Sequence, residues 1–117
     1  RGWDNVRQDD LGTLWEHFVL NEIQGHLQTR DVHYWRDKQG HEIDFIIKPR
    51  GKPPIGIECK WDAGNVDSKN IEYFLTNYPQ ATMLIACHNI KRPYSRKIRS
   101  AVVRYVNLSD CIAALEK

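Results

Sequence analysis

The chain has 117 residues, 41% of them hydrophobic and 27% charged, with a formal net charge of +2. That is enough for one globular domain with one core and too little for two ordinary domains. No apolar run approaches the ~18 residues of a membrane span, and Arg1-Gly2-Trp3-Asp4 lacks the apolar core of a secretory signal, so neither a membrane nor a secreted protein is expected.

Asp9 and Asp10 precede Leu11, Leu14, Trp15, Phe18, Val19, Ile23 and Leu27, a helical pattern with acids at its positive end, which predicts a helix over 10–28. On a 100° wheel Glu16 lies at the edge of the apolar arc and Glu22 nearer its middle, so Glu22 needs a buried hydrogen bond or a partner such as Arg36. Val32 to Arg36 and Glu42 to Lys48 read as a hairpin around Asp37-Lys38-Gln39-Gly40, and Ile55 to Trp61 as a third strand after a Gly/Pro-rich turn. A helix capped by Asp67 or Ser68 ends before Pro79, because the residue before a proline avoids helical angles. Thr82 to Cys87 is a nearly continuous apolar run, as in a strand buried on both faces. Ala101 to Val106 gives a last strand, and Ser109-Asp110 caps a closing helix. The expected class is α/β, in the order αβββαβ and then β and α, with a central mixed sheet flanked by helices.

Side chains alternate along a strand, so Glu42 and Asp44 share one face of the second strand, and Glu58 and Lys60 one face of the third. With those faces aligned, Asp44, Glu58 and Lys60 converge. Carboxylate oxygens are what Mg²⁺ or Mn²⁺ prefer, and such an ion lowers the pKa of a bound water beside a phosphate. Lys60 would orient that water or neutralise the phosphate. The other reading is an ordinary polar sheet face with a cross-strand ion pair. Against it stand Phe45-Ile46-Ile47 and Ile55 to Ile57, which look like central strands, where charge is costly unless paired or metal-bound.

Charge is unevenly spread: residues 1–72 hold 10 Lys/Arg against 13 Asp/Glu, and residues 73–117 hold 7 against 2. Lys91, Arg92, Arg96, Lys97, Arg99 and Arg104 lie in an acid-free stretch, either a surface for nucleic acid or a solvated basic loop. Cys59, Cys87 and Cys111 form no Cys-x-x-Cys pair, which suits a reducing cytoplasm. The histidines show no metal-ligand spacing. Trp35 and Trp61 flank the motif residues and read equally as core or as base-stacking platforms.

Asp44 followed by Glu58-Cys59-Lys60, in this element order, resembles the PD-(D/E)XK nuclease superfamily with its restriction-endonuclease-like core. More narrowly, Gly12, Glu16, Val19 and Glu22, then Tyr34 to Asp37, Gly40-x-Glu42-Ile43-Asp44-Phe45 and Ile57 to Lys60 resemble a domain of unknown function at the C-terminus of prokaryotic AAA-type ATPases. The resemblance covers about residues 10–88. It implies a metal-dependent nuclease acting on nucleic acid, DNA before RNA. Asp44, Glu58 and Glu16 would hold Mg²⁺ or Mn²⁺ and Lys60 would serve the water, while Glu42, which shares the face of Asp44 by strand alternation, reads as a supporting acid. It also implies an N-terminal ATPase portion, in keeping with a chain that opens on Arg1, and allows a homodimer. No phosphate-loop motif is present, so the domain does not hydrolyse ATP itself. Two departures stand out: Ile43 replaces the proline of the motif, and Lys69, Asn70 and Tyr73 give no clear Gln-x-x-x-Tyr signature. The alternative is a non-catalytic module that binds nucleic acid or protein and regulates the attached ATPase.

Overall fold

The computed structural model describes residues 8–27, 32–98 and 100–116. Helix α1 (Gln8–Leu27) precedes strands β1 (Val32–Arg36), β2 (Glu42–Ile47) and β3 (Ile55–Lys60). Then come α2 (Ser68–Asn77), β4 (Thr82–Cys87), β5 (Tyr94–Ile98), β6 (Ala101–Val106) and α3 (Leu108–Leu115). Through β4 this is the expected αβββαβ order. The six strands form one mixed sheet in the order β1-β2-β3-β4-β6-β5, parallel at β3/β4 and β4/β6 and antiparallel elsewhere. Among the described residues no helix is long and apolar enough to cross a membrane.

The hairpin between β1 and β2 is built by its turn residues. Gly40 adopts φ 90°, where a side chain would be strained, and the Asp37 Oδ1 accepts the N–H groups of Gln39 and His41 at 2.9 and 2.8 Å. Helices α1 and α3 cover one face of the sheet, where Trp15, Val19 and Ile23 meet Phe45, Ile57 and Leu84. Helix α2 covers the other, with Ile71 and Phe74 against Ile43, Ile46, Met83 and Ile85. The central strands carry the expected two-sided burial, since residues 56–59 and 83–87 are all buried.

Three expectations are corrected. The stretch 94–98 is the edge strand β5 rather than a loop: its residues are exposed on both faces apart from half-buried Ile98, so no hydrophobic alternation marked it. Helix α3 is capped by Asn107, whose Oδ1 accepts the Asp110 N–H at 2.8 Å, and not by Ser109-Asp110. Glu22 is not in the middle of a buried arc. Helix α1 buries the single row Leu11, Trp15, Val19 and Ile23, whereas Leu14 and Phe18 remain 44% and 49% exposed. Counting those two as core rotated the apparent arc towards Glu22, which lies on their row and pairs with His26 at 3.8 Å instead of Arg36.

Candidate active site

The site forms where β2 and β3 part. Their ladder runs Ile47↔Ile55, Ile46↔Gly56 and Phe45↔Ile57 and stops there. On the other side of β2, His33 faces Ile46 but Trp35 faces Ile43, so Asp44 and Phe45 together oppose Tyr34 in a bulge. Strict alternation therefore fails at Asp44: Ile43 packs with Ile46 on the α2 side, while Phe45 packs on the α1 side. Past the last ladder pair, side-chain oxygens replace backbone carbonyls. Asp44 Oδ2 accepts the Cys59 N–H at 2.8 Å, and the Asp44 N–H donates to Glu58 Oε1 at 3.1 Å.

These bonds fix two carboxyls side by side with little water. Among the described residues Glu58 is the charged side chain that is buried, at 6% exposure. Burial, and then the neighbouring Asp44 charge, pushes its carboxyl up to about 8. Burial also raises Asp44, against the opposing pull of the Cys59 N–H and Lys60. Glu16, reaching in from α1, is raised by its partial burial and by Asp44. The Asp44 and Glu58 carboxyls are thus both pushed towards the neutral form by burial, and Glu58 further by the charge of Asp44. The Lys60 ammonium lies within electrostatic reach of Glu16, Asp44 and Glu58.

Thus the residues singled out from the sequence gather within electrostatic range of Asp44: Glu58 by hydrogen bond, Glu16 and Lys60 through their charges. Glu42 is also in range of Asp44 and Glu16, but its carboxylate is committed to Arg36, whose Nε donates to Oε1 at 2.6 Å. Among the described residues no three His, Cys, Asp or Glu side chains surround one point ready to hold a metal. What the chain offers is two neighbouring carboxyls, Glu58 buried and Asp44 partly so, each tied to a backbone N–H and each raised by burial. An oxygen-only pair suits Mg²⁺, which binds by one or two carboxylates and keeps several waters, better than zinc with its four protein ligands. A cation there would offset the mutual repulsion of the two ionised carboxylates.

The basic residues are not gathered into one surface. Lys91 and Arg92 sit in the β4–β5 loop, and because Tyr94 pairs with Tyr105 near the end of β6, that loop is at the same end of the sheet as the acids. Arg96 and Lys97 point to opposite faces of β5: Arg96 lies over the Tyr105 ring at 6.0 Å, on the α2 side, while Lys97 pairs with exposed Val102 on the other side. Arg99 lies outside the described residues. One contact was not anticipated: Trp61 and His88 stack with ring centroids 3.7 Å apart. The legible signal was that each follows directly on the C-terminal end of a parallel strand, the end where open α/β sheets bind ligands.

The uncharacterized protein Rv2008c of Mycobacterium tuberculosis is 30% identical over 79 residues, which is 68% of this chain and 18% of that protein. The uncharacterized protein Mb2031c of Mycobacterium bovis matches with the same figures. The chain thus spans under a fifth of the length of these curated relatives. Among solved structures, the fold resembles a chain from a tetradecameric assembly of Thermococcus gammatolerans McrB AAA+ hexamers with bound McrC. There the TM-score is 0.58 at 14% identity, covering 84% of this chain and 28% of that one. Residues 11–108, from the first buried leucine of α1 to the first residue of α3, match the Domain of unknown function (DUF4143), and the chain belongs to that family.

Proposed function

We propose that this domain hydrolyses phosphodiester bonds in nucleic acid, DNA in the first instance, with Mg²⁺ or Mn²⁺ held at Asp44 and Glu58, in the manner of a PD-(D/E)XK nuclease. The observation that carries this reading is the dehydrated Asp44–Glu58 pair at the β2–β3 split, with Lys60 and Glu16 in reach. A bound divalent ion supplies an acidified water and offsets the charge that builds on the phosphate. The chain's own residues do the rest. The Cys59 and Asp44 amides hold the carboxyls in place. Lys60 donates to the attacking water or to a non-bridging phosphate oxygen. Glu16 adds a carboxylate from the α1 side for the ion or its water. The water oxygen bonds to phosphorus as the ester P–O bond breaks, and the water's proton ends on the leaving oxygen.

The likeness to a chain from an assembly of AAA+ hexamers supports a setting in which this domain works joined to an AAA-type ATPase, and the greater length of the relatives leaves room for one. A second reading, a non-catalytic module that regulates such an ATPase, is favoured by the exposed Leu14 and Phe18 on α1, an apolar row open to a protein contact. The test incubates the domain with linear, circular and branched DNA and with RNA, in Mg²⁺ or Mn²⁺, beside Asp44→Ala and Lys60→Ala. Cleavage that falls at least ~100-fold in both variants is the expected result. Salt-sensitive binding without cleavage by the parent protein would sink the enzyme and leave the module.

A further inference from the structure

The stack of Trp61 on His88 is held from several sides. Trp61 follows Lys60, and His88 follows Cys87, which is the partner of Lys60 across the parallel β3–β4 ladder. Their rings lie 3.7 Å apart and 6° from parallel. Trp15, whose indole N–H donates to the Ala86 carbonyl at 2.9 Å, meets both rings edge-on, at 6.2 Å from Trp61 and 5.6 Å from His88. The two loops that carry the rings are tied to each other. The His88 N–H donates to the Lys60 carbonyl at 3.3 Å, the Ala63 N–H to Asn89 Oδ1 at 3.0 Å, and Asn89 Nδ2 to Asp62 Oδ1 at 3.2 Å.

Trp61 leans on the core, but His88 is exposed. A solvated imidazole gains little stability from being fixed flat over an indole. What the arrangement makes is a held aromatic face whose outer ring is exposed, against Trp15 of α1 and at the end of the sheet where β3 finishes at Lys60.

We propose that Trp61 and His88 form a stacking platform for an unpaired nucleobase adjacent to the phosphate at the acid cluster. Bases inside a duplex have both faces covered, so the occupant is a single-stranded, terminal or branch-point nucleotide. Stacking needs only a π face, so the platform is tolerant of sequence. Lys91 and Arg92 continue the same loop and offer cations to the backbone of the strand. The identity of the neighbouring phosphate rests on the nuclease reading above; the platform itself rests on the ring geometry.

The experiment measures binding of a labelled single-stranded oligonucleotide by anisotropy, with cleavage prevented by Asp44→Asn in every binding measurement and read separately in proteins that keep Asp44. His88→Ala should weaken binding roughly 5- to 150-fold, and His88→Tyr, which keeps a ring, should restore it. The protein with His88 intact should lose a similar factor when the oligonucleotide is replaced by an abasic chain of equal charge, a comparison that needs no second variant to fold. His88→Ala binding within twofold of its parent, an abasic chain bound as tightly as the normal one, or no single-strand binding at all overturns the platform. Base-dependent binding by the parent with no cleavage in Mg²⁺ or Mn²⁺ keeps the platform and removes the nuclease. Cleavage with binding unchanged in His88→Ala does the reverse.

Discussion

Glu58 is the residue on which the site's energetics turn. Its carboxyl titrates at about 8 in the folded chain against 4.5 when exposed, so the unfolded state ionises first as pH rises. A raised carboxyl favours folding below pH 4.5 and loses that advantage progressively up to about pH 8. At pH 7 the loss is on the order of 3 kcal/mol. Thermal unfolding of the metal-free domain should therefore show a Tm that falls between pH 5 and pH 8. Glu58→Gln should flatten that fall and raise the Tm at pH 8, because an amide keeps the acceptor for the Asp44 N–H and donates permanently to the Asp44 carboxylate. Added Mg²⁺ or Mn²⁺ should raise the Tm of the parent at pH 8 and leave Glu58→Gln nearly unmoved. Equal stabilisation of both proteins would show that the ion binds elsewhere.

At the scale of elements, the packing of α2 on β3 depends on a residue without a side chain. A Cβ on Gly56 would lie 2.8 Å from the Phe74 ring and 2.9 Å from the Met83 sulfur. Gly56→Ala should destabilise the domain by about 1–3 kcal/mol, read as a lower denaturant midpoint at an unchanged m-value. Gly56 lies two residues before Glu58, so the same variant should weaken ion binding if the ring displaces β3. Much of this architecture was legible beforehand, because β4 announces itself as an apolar run, β3 by the Gly/Pro-rich turn before it, and α2 by its Asp67 cap and Pro79 stop. The bulge at Asp44–Phe45 was not, since a single extra residue in a strand leaves no trace in an alternation that already mixes Asp44 with Ile43 and Phe45. The acids were still found, for Asp44 and Glu58 pair through side chain to backbone bonds that do not need aligned faces. β5 escaped because an exposed edge strand has the composition of a loop.

Across the whole molecule, position in the sheet separates basic residues that sequence alone grouped. Lys91 and Arg92 share the end that carries the acids, whereas Lys97, paired with Val102, lies towards the other. Lys91→Ala and Arg92→Ala should each weaken nucleic-acid binding and reduce the dependence of log K on log salt by about 0.7–0.9. Lys97→Ala should change neither, and an equal loss from all three would mean that the polyanion runs along β5.

The turn at 48–54, between β2 and β3, lies at the opposite end of the sheet from Asp44, with Arg50, Gly51 and Lys52 exposed. That turn is a place to build on. A short flexible peptide or fluorophore acceptor inserted between Gly51 and Lys52 should leave the Tm within a few degrees and cleavage and ion binding unchanged. The domain could then be immobilised or imaged on long substrates by its blank end, with the acids left facing the strand.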